Sequence, residues 1–363
     1  MKKGLLFLIL FLSGLLVYSG NNTGGSHEEE PFNAGHMIVD HIVDSHEWHI
    51  ATIGEKHITI PLPIILYDQG KFYLFSSTRF HEGDGTYQGF KVESERNGNR
   101  GKIVKVIPGT TETDHSVGKP LDLSITKNVA GIFVSFAVVL LIFSSIARSY
   151  RKQGVGVPKG IQSLLEPLIL FIRDDIAKPS LGKNYEKFMP FLLTLFFFIF
   201  FTNLIGLVPF FPGGANVTGN IGVTLVLALF TFFMTALSGN KGYWQHIFNA
   251  PGVPWWLKIP IPLFPVIEIV GVFVKPFVLM IRLFANITAG HIIVMGFISL
   301  IFIFAQLGAG LAYGISVLSV LFAIFISLLE LLVAFIQAYV FTLLSALYFG
   351  MATEEHEHVE EEH

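Results

Sequence analysis

Glu268-Ile-Val-Gly-Val-Phe-Val-Lys-Pro-Phe-Val-Leu-Met-Ile-Arg-Leu-Phe-Ala-Asn-Ile-Thr-Ala-Gly-His291 decides the fold. It lies inside an apolar run from Ile261 to Phe304 and still carries two cations, a carboxylate and an imidazole. A second apolar run, Leu311 to Phe349, follows it. Each is near 40 residues, roughly 60 Å as a helix, whereas an upright crossing needs only about 20 residues. Each run is therefore two short helices or one long helix lying steeply tilted in the membrane.

The whole chain agrees with this reading. Of 363 residues, 52% are hydrophobic and 14% are charged, against about 25% charged in an ordinary soluble domain. Mean hydropathy is +0.60, with 36 Phe and 35 Gly, as in lipid-facing helices that pack through small residues. A soluble α/β enzyme is excluded. A net charge of −3 leaves little to neutralise phosphates, so nucleic acid is not an expected partner. With no Cys, disulfides, thiolate zinc sites, iron–sulfur clusters and a cysteine nucleophile are excluded. Gly-rich stretches lack the Gly-Lys-Ser/Thr ending of a phosphate loop.

Three further spans precede the long runs. Ile125 to Ala147 is followed at once by Arg148, Arg151 and Lys152, which mark its cytoplasmic end. Phe188 to Phe211 returns outward and breaks at Pro209 and Pro212-Gly-Gly214; Asn216 to Leu237 comes back in. Between the first two, Glu166-Pro167 and the Leu-Ile-Leu-Phe-Ile run predict a helix along the membrane surface, and residues 238–260 read as an interfacial connection. With one crossing per long run, the fold is an all-α polytopic membrane protein of about five crossing helices. Its tail, Met351 to His363, is acidic, disordered and cytoplasmic.

Upstream, the charged start, the Leu5–Val17 apolar run and the small residues near Ser19 predict a signal peptide over residues 1–19. Residues 20–124 are polar and rich in Gly and His, and form an extracytoplasmic domain with some β-structure. His57–Leu66 and Lys71–Ser76 are β-prone, joined by a short turn at Tyr67-Asp-Gln-Gly70, and Pro61 and Pro63 suggest an edge strand. Gly83–Gly101 reads as loop. His36, His41, His46 and His49 could share a metal, though a polar helix is the simpler account; Asn216-Val-Thr218 and Asn286-Ile-Thr288 match glycosylation acceptors only by coincidence, in apolar spans.

A charge at the bilayer centre costs at least ~2.5–3.5 kcal/mol and marks function by default. Glu268, Arg282, His291 and Glu330 stand in that position; Lys275 is long enough to reach the interface. Arg282 has no acidic residue at i±3 or i±4, so its counter-charge lies on another helix or another chain. At 100° per residue, Glu268, Lys275, Arg282 and Asn286 form one stripe, and His291 points the opposite way, about 13 Å further along. On the last helix Glu330 and Gln337 share a face. If Glu330 is level with His291, Gln337 falls close in depth to Arg282, giving a titrating pair at one level and a polar cluster at the next.

These residues, with Lys275-Pro276, Ile281-Arg-Leu-Phe-Ala-Asn286, Ala289-Gly-His291 and Met351-Ala-Thr-Glu-Glu-His356, resemble subunit a of the bacterial F-type ATP synthase membrane (Fo) sector. Glu166-Pro-Leu-Ile-Leu-Phe-Ile-Arg-Asp-Asp-Ile-Ala-Lys-Pro179 and Asn203-Leu-Ile-Gly-Leu-Val-Pro209 extend the resemblance from about residue 120 to the end. The resemblance implies a membrane domain over 125–350 with a tilted C-terminal helix hairpin, in the bacterial inner membrane. It implies that Arg282 faces the carboxylate of a rotating c-subunit ring and separates two half-channels, with Gln337 and Asn286 flanking it and Glu268 on the cytoplasmic exit path. It further implies a stator subunit that couples proton flow to ATP synthesis, beside a subunit b stalk and the rest of the complex in lipid, with no cofactor and no enzymatic activity of its own. Many bacterial relatives carry Glu at the position of His291 and His at that of Glu330, so the pair is exchanged here, which supports its proximity in space. A secondary transporter would show paired halves with broken helices, and no internal repeat is present; an anchored signalling protein would not need these ionisable residues.

Overall fold

The structure is a computed structural model that describes residues 33–53, 56–81, 85–93, 101–153, 160–208, 213–249, 263–306 and 308–354. The expected signal peptide, the connection over 250–262 and the tail beyond Glu354 lie outside the described residues. Contacts divide the chain into two compact units, Met1–Ala130 and Gly131–His363.

The first unit opens with helix α1 (Ala34–Ile42) and the antiparallel pair β1 (Glu47–Ile53) and β2 (Lys56–Pro61). Strands β3 (Pro63–Asp68) and β4 (Lys71–Ser76) form the expected hairpin: Asp68 pairs Lys71 across Gln69 (φ 46°) and Gly70 (φ 82°), the two positive-φ residues that match strand twist. The apolar run His57–Leu66 is not one strand, however. It breaks at Leu62, and β3 is central, with β8 (Leu121–Asp122) on its other side. Pro63 is tolerated because it is the first residue of its strand. Nor is Gly83–Gly101 all loop, since β5 (Thr86–Tyr87) and β6 (Phe90–Val92) pair there and β7 (Ile103–Lys105) extends the sheet. Ile64, Leu66, Phe80, Phe90 and Ile103 make the core of this unit.

The second unit is helical. In order come α2 (Lys127–Gln153, whose first turn belongs to the first unit), α3 (Ile161–Phe171), a π-helical turn at Ile172–Ala177, α4 (Lys178–Leu181) and α5 (Tyr185–Leu207). Then follow α6 (Ile221–Ser238), α7 (Lys241–Asn249), α8 (Leu263–Ala305) and α9 (Ala309–Thr353). Five stretches are long and apolar enough to cross a membrane, α3 to α5 counting as one; the protein is a multi-pass membrane protein. The long runs are single helices of 43 and 45 residues. Pro276 leaves α8 unbroken, and at the turn between them Gly308 takes φ 143°, a conformation that favours glycine. Asn216–Asn220 precedes α6 rather than joining it, and Asn220 caps that helix by accepting from Gly222 N–H at 2.9 Å. Met351–Thr353, expected in the tail, complete α9: Ala352 is buried and its carbonyl accepts from Asn240 N–H at 2.9 Å.

Lipid is as apolar as leucine, so packing between these helices rests on close contact rather than water exclusion. Small residues of α9 accordingly face inward: Ala334, Ala338, Thr342, Ser345 and Ala346 are fully buried. At Gly350 any Cβ would collide with the Ser180 carbonyl oxygen. Aromatic rings of α5 fill the larger gaps; Phe188 stacks on Phe349 with centroids 5.0 Å apart. The π-turn buries Ile172, Ile176 and Ala177 in the same core, so the segment expected along the surface is anchored at its C-terminal end.

Candidate functional site

Helix α8 carries most of the site on one continuous rod. Its rise of 1.5 Å per residue sets Lys275 about 10 Å from Arg282 on one side and His291 about 13 Å from it on the other. Because α8 and α9 run side by side, Glu330 meets His291 as expected, with His291 Nδ1 3.3 Å from Glu330 Oε1 and both side chains mostly buried. Gly290 makes the approach possible, because a Cβ there would strike the Glu330 carboxylate.

The pair borders a small cleft whose largely apolar wall carries several polar side chains. Thr202 and Asn203 come from α5, Asn216 and Thr218 from the turn before α6, and Asn286 from α8. Thr218 Oγ1 donates to Asn203 Oδ1 at 2.6 Å, and Gly219 N–H donates to Asn216 Oδ1 at 3.1 Å. Thr202 Oγ1, Asn203 Nδ2 and Asn216 Nδ2 are buried without a hydrogen-bond partner among the described residues. An unsatisfied buried group costs about 1–3 kcal/mol, and these three lie in the wall beside the His291–Glu330 pair. Asn216-Val-Thr218, expected inside a span, instead lies in the turn before α6 and forms part of this wall. The available signal was the placing of Thr202-Asn203 inside an otherwise apolar run.

Arg282 is set apart from this network. It is exposed, next to buried Leu283 and among exposed Val278, Ile281, Ala285 and Asn286. No carboxylate among the described residues lies within ion-pair distance of it; Tyr348 of α9 is within its electrostatic reach. Gln337 is buried on α9, and no hydrogen bond joins it to Arg282 among the described residues. The expected Arg–Gln–Asn cluster is therefore not closed within this chain.

On the other side of Arg282 lies a second cavity, lined by Thr231 and Thr235 of α6, Tyr243 of α7, Lys275 and Pro276 of α8 and Tyr348 of α9. Lys275 Nζ sits 5.5 Å from the centre of the Tyr348 ring, a cation–π contact that holds the ammonium without a carboxylate. Glu268 is half-buried and within electrostatic reach of Lys275 and Tyr243. Burial, and then the charge of Glu268, push the Tyr243 phenol above its ordinary value. Among the described residues no three metal-ligating side chains cluster. His46 instead faces Asp122 at 2.8 Å, and the side chains of His36, His41 and His49 lie outside the described residues.

A family model described as ATP synthase A chain matches residues 129–350, and one described only as a domain of unknown function matches residues 37–123. ATP synthase subunit a of Chloroherpeton thalassium is 46% identical over 67% of this chain and 70% of its own length. ATP synthase subunit a 2 of Chlorobaculum tepidum is 47% identical over 68% of each, and subunit a of Anaeromyxobacter is 39% identical over 67% of this chain and 57% of its own. The helical unit, its two cavities and the free arginine between them are therefore those of a chain that belongs to the ATP synthase A chain family, as a membrane Fo subunit a that is not itself an enzyme.

Proposed function

We propose that the chain is the stationary proton path of a bacterial F-type ATP synthase, working against a rotating ring of c subunits in the inner membrane and held beside a subunit b stalk. The observation that carries this reading is the unpaired, exposed Arg282, set along α8 between two cavities that each have polar side chains in a largely apolar wall. Small neighbours, Ala285 and Ala289, leave room on the same face for another helix to come close. A carboxylic acid arriving there meets a permanent cation. At 4 Å and an effective dielectric of 20 the attraction is about 4 kcal/mol, roughly three pKa units, enough to strip the proton.

Each cavity then serves as one half-channel. His291 and Glu330 lie 3.3 Å apart and each side chain can both take up and give up a proton, which supports a proton relay on their side, bordered by Asn203, Asn216, Thr218 and Asn286. Glu268 and Lys275 border the opposite, cytoplasmic side. Because Arg282 never releases its own proton, it blocks direct passage between the two, and Gln337 and Asn286 flank it. The basic residues after α2 support an N-terminal unit outside the cytoplasm and a C-terminus inside.

The test is Arg282→Ala in the assembled complex, with ATP-driven proton pumping and passive proton leak measured in the same membranes. Pumping is expected to vanish while leak persists. Normal coupled pumping would overturn the assignment.

A further inference from the structure

The sheet β4–β3–β8 has two unlike faces. Cross-strand partners share a face, and the register pairs Ile65 with Leu74 and Tyr67 with both Phe72 and Leu121. Leu123 N–H donates to Ile65 O at 2.9 Å, placing Leu123 opposite Ile65. Ile65, Tyr67, Phe72, Leu74, Leu121 and Leu123 therefore lie on one side, with Phe72 72% and Leu74 73% exposed. The other side holds Ile64 and Leu66 in the core. It also takes the strand carboxylates: Asp68 pairs with Lys105 at 2.8 Å and Asp122 with His46 at 2.8 Å. The exposed face carries no charge.

Chain continuity identifies what covers it. Pairing along β3 runs on to Ile125, whose N–H donates to Pro63 O at 3.1 Å, and only Thr126 then precedes the membrane helix α2. That helix start is clamped to the same unit, since Lys127 N–H donates to Ser45 O at 2.8 Å and Asn128 N–H to Asp44 Oδ1 at 3.0 Å. Leu123 is four residues from Lys127, at most about 13–14 Å of chain. The 26-residue apolar span beginning at Lys127 is about 39 Å long against a hydrocarbon core of about 30 Å, so Lys127 stands at headgroup level. Aromatic and aliphatic side chains presented there by an uncharged sheet suit the interface, where tyrosine concentrates.

We propose that this sheet face is a lipid-contact surface, lying on the bilayer beside the start of α2 and anchoring the N-terminal unit to the membrane by its apolar side chains. The anchor is independent of the ion path.

The chain has no Cys, so Phe72→Cys and Leu74→Cys can each carry a single environment-sensitive fluorophore, with Thr111→Cys and Gln88→Cys as references at exposed turns. The full chain is placed in vesicles of phosphatidylethanolamine and phosphatidylglycerol. Labels at 72 and 74 are expected to be quenched by lipid-attached nitroxide and at least roughly twofold less by iodide than the references, as for buried interfacial residues. In Tyr67→Glu/Leu121→Glu, with strand protection retained in hydrogen exchange, the Leu74→Cys label is expected to become iodide-accessible. Iodide access at 72 and 74 equal to that of the references overturns the proposal. Protection from both quenchers also overturns it, in favour of a protein cover.

Discussion

The two units treat polar side chains in opposite ways. In the N-terminal unit they are closed on one another: His46 on Asp122, Lys105 on Asp68, Thr113 on Glu93 at 2.6 Å and Asp44 on the first turn of α2. His46 Nδ1 and Asn128 Oδ1 are exceptions, buried without a partner among the described residues. In the helical unit closed contacts such as His291–Glu330 stand beside open groups, with Arg282 unpaired among the described residues and Thr202, Asn203 and Asn216 each presenting an unused donor. Closed pairs hold a fold in shape. Open ones cost stability and, on the reading proposed above, are where the helical unit acts on something else.

The largest expected effect breaks the open side at its centre. Arg282→Gln keeps a polar amide head and removes the charge, and ATP-driven pumping in inverted membranes should fall at least about 100-fold, near 2.7 kcal/mol of barrier; Arg282→Lys should lose less, since a charge without the planar guanidinium remains. Next is Gly290→Ala, whose Cβ displaces the Glu330 carboxylate. Pumping is expected to drop about tenfold, and the shorter side chain of Glu330→Asp should restore part of it in the double variant. If Gly290→Ala pumps normally, the His291–Glu330 contact has no role in the path.

Smaller again is Asn203→Leu/Thr218→Val, which removes both members of a buried hydrogen bond. Replacing both partners together is nearly neutral for stability, so the melting temperature should hold while pumping falls a few-fold. Equal loss of stability and pumping would move this pair to the closed class. The smallest effect belongs to the N-terminal unit. Burial opposes ionisation of Asp122, but hydrogen bonds from His46 and Ser124 outweigh it and hold the carboxyl below 3.8. A lowered folded-state value contributes stability above the unfolded value that is lost as pH falls through the folded one. Hydrogen-exchange protection around β8 should therefore decline below about pH 3.8, and Asp122→Asn should cost about 1 kcal/mol at neutral pH while leaving pumping intact.

Much of the helical unit was legible because apolar runs, proline and the Arg148–Lys152 cluster act locally. The His291–Glu330 contact was legible for a similar reason, since two antiparallel rods of fixed rise bring equal depths together. Length alone left open whether α8 and α9 were single helices, because Pro276 and a charge every seven residues fit either a break or a stripe. Asn203, Asn216 and Thr218 were not assembled, since they meet only when the end of α5 and the turn before α6 fold back on α8. The central place of β3 was missed too: Leu121–Asp122, its second partner, is two residues long and more than fifty residues away in sequence.

The length of the α8–α9 pair also bears on how the protein is made. A 43-residue apolar helix is about 65 Å long, more than twice the hydrocarbon core of about 30 Å, and has no upright position that keeps its apolar length within the hydrocarbon. Each rod therefore depends on its neighbours for its orientation, and α2, α5 and α6 leave the ribosome before either. Chain order places α2, α5 and α6 first, so the wall against which the last two helices come to rest precedes them.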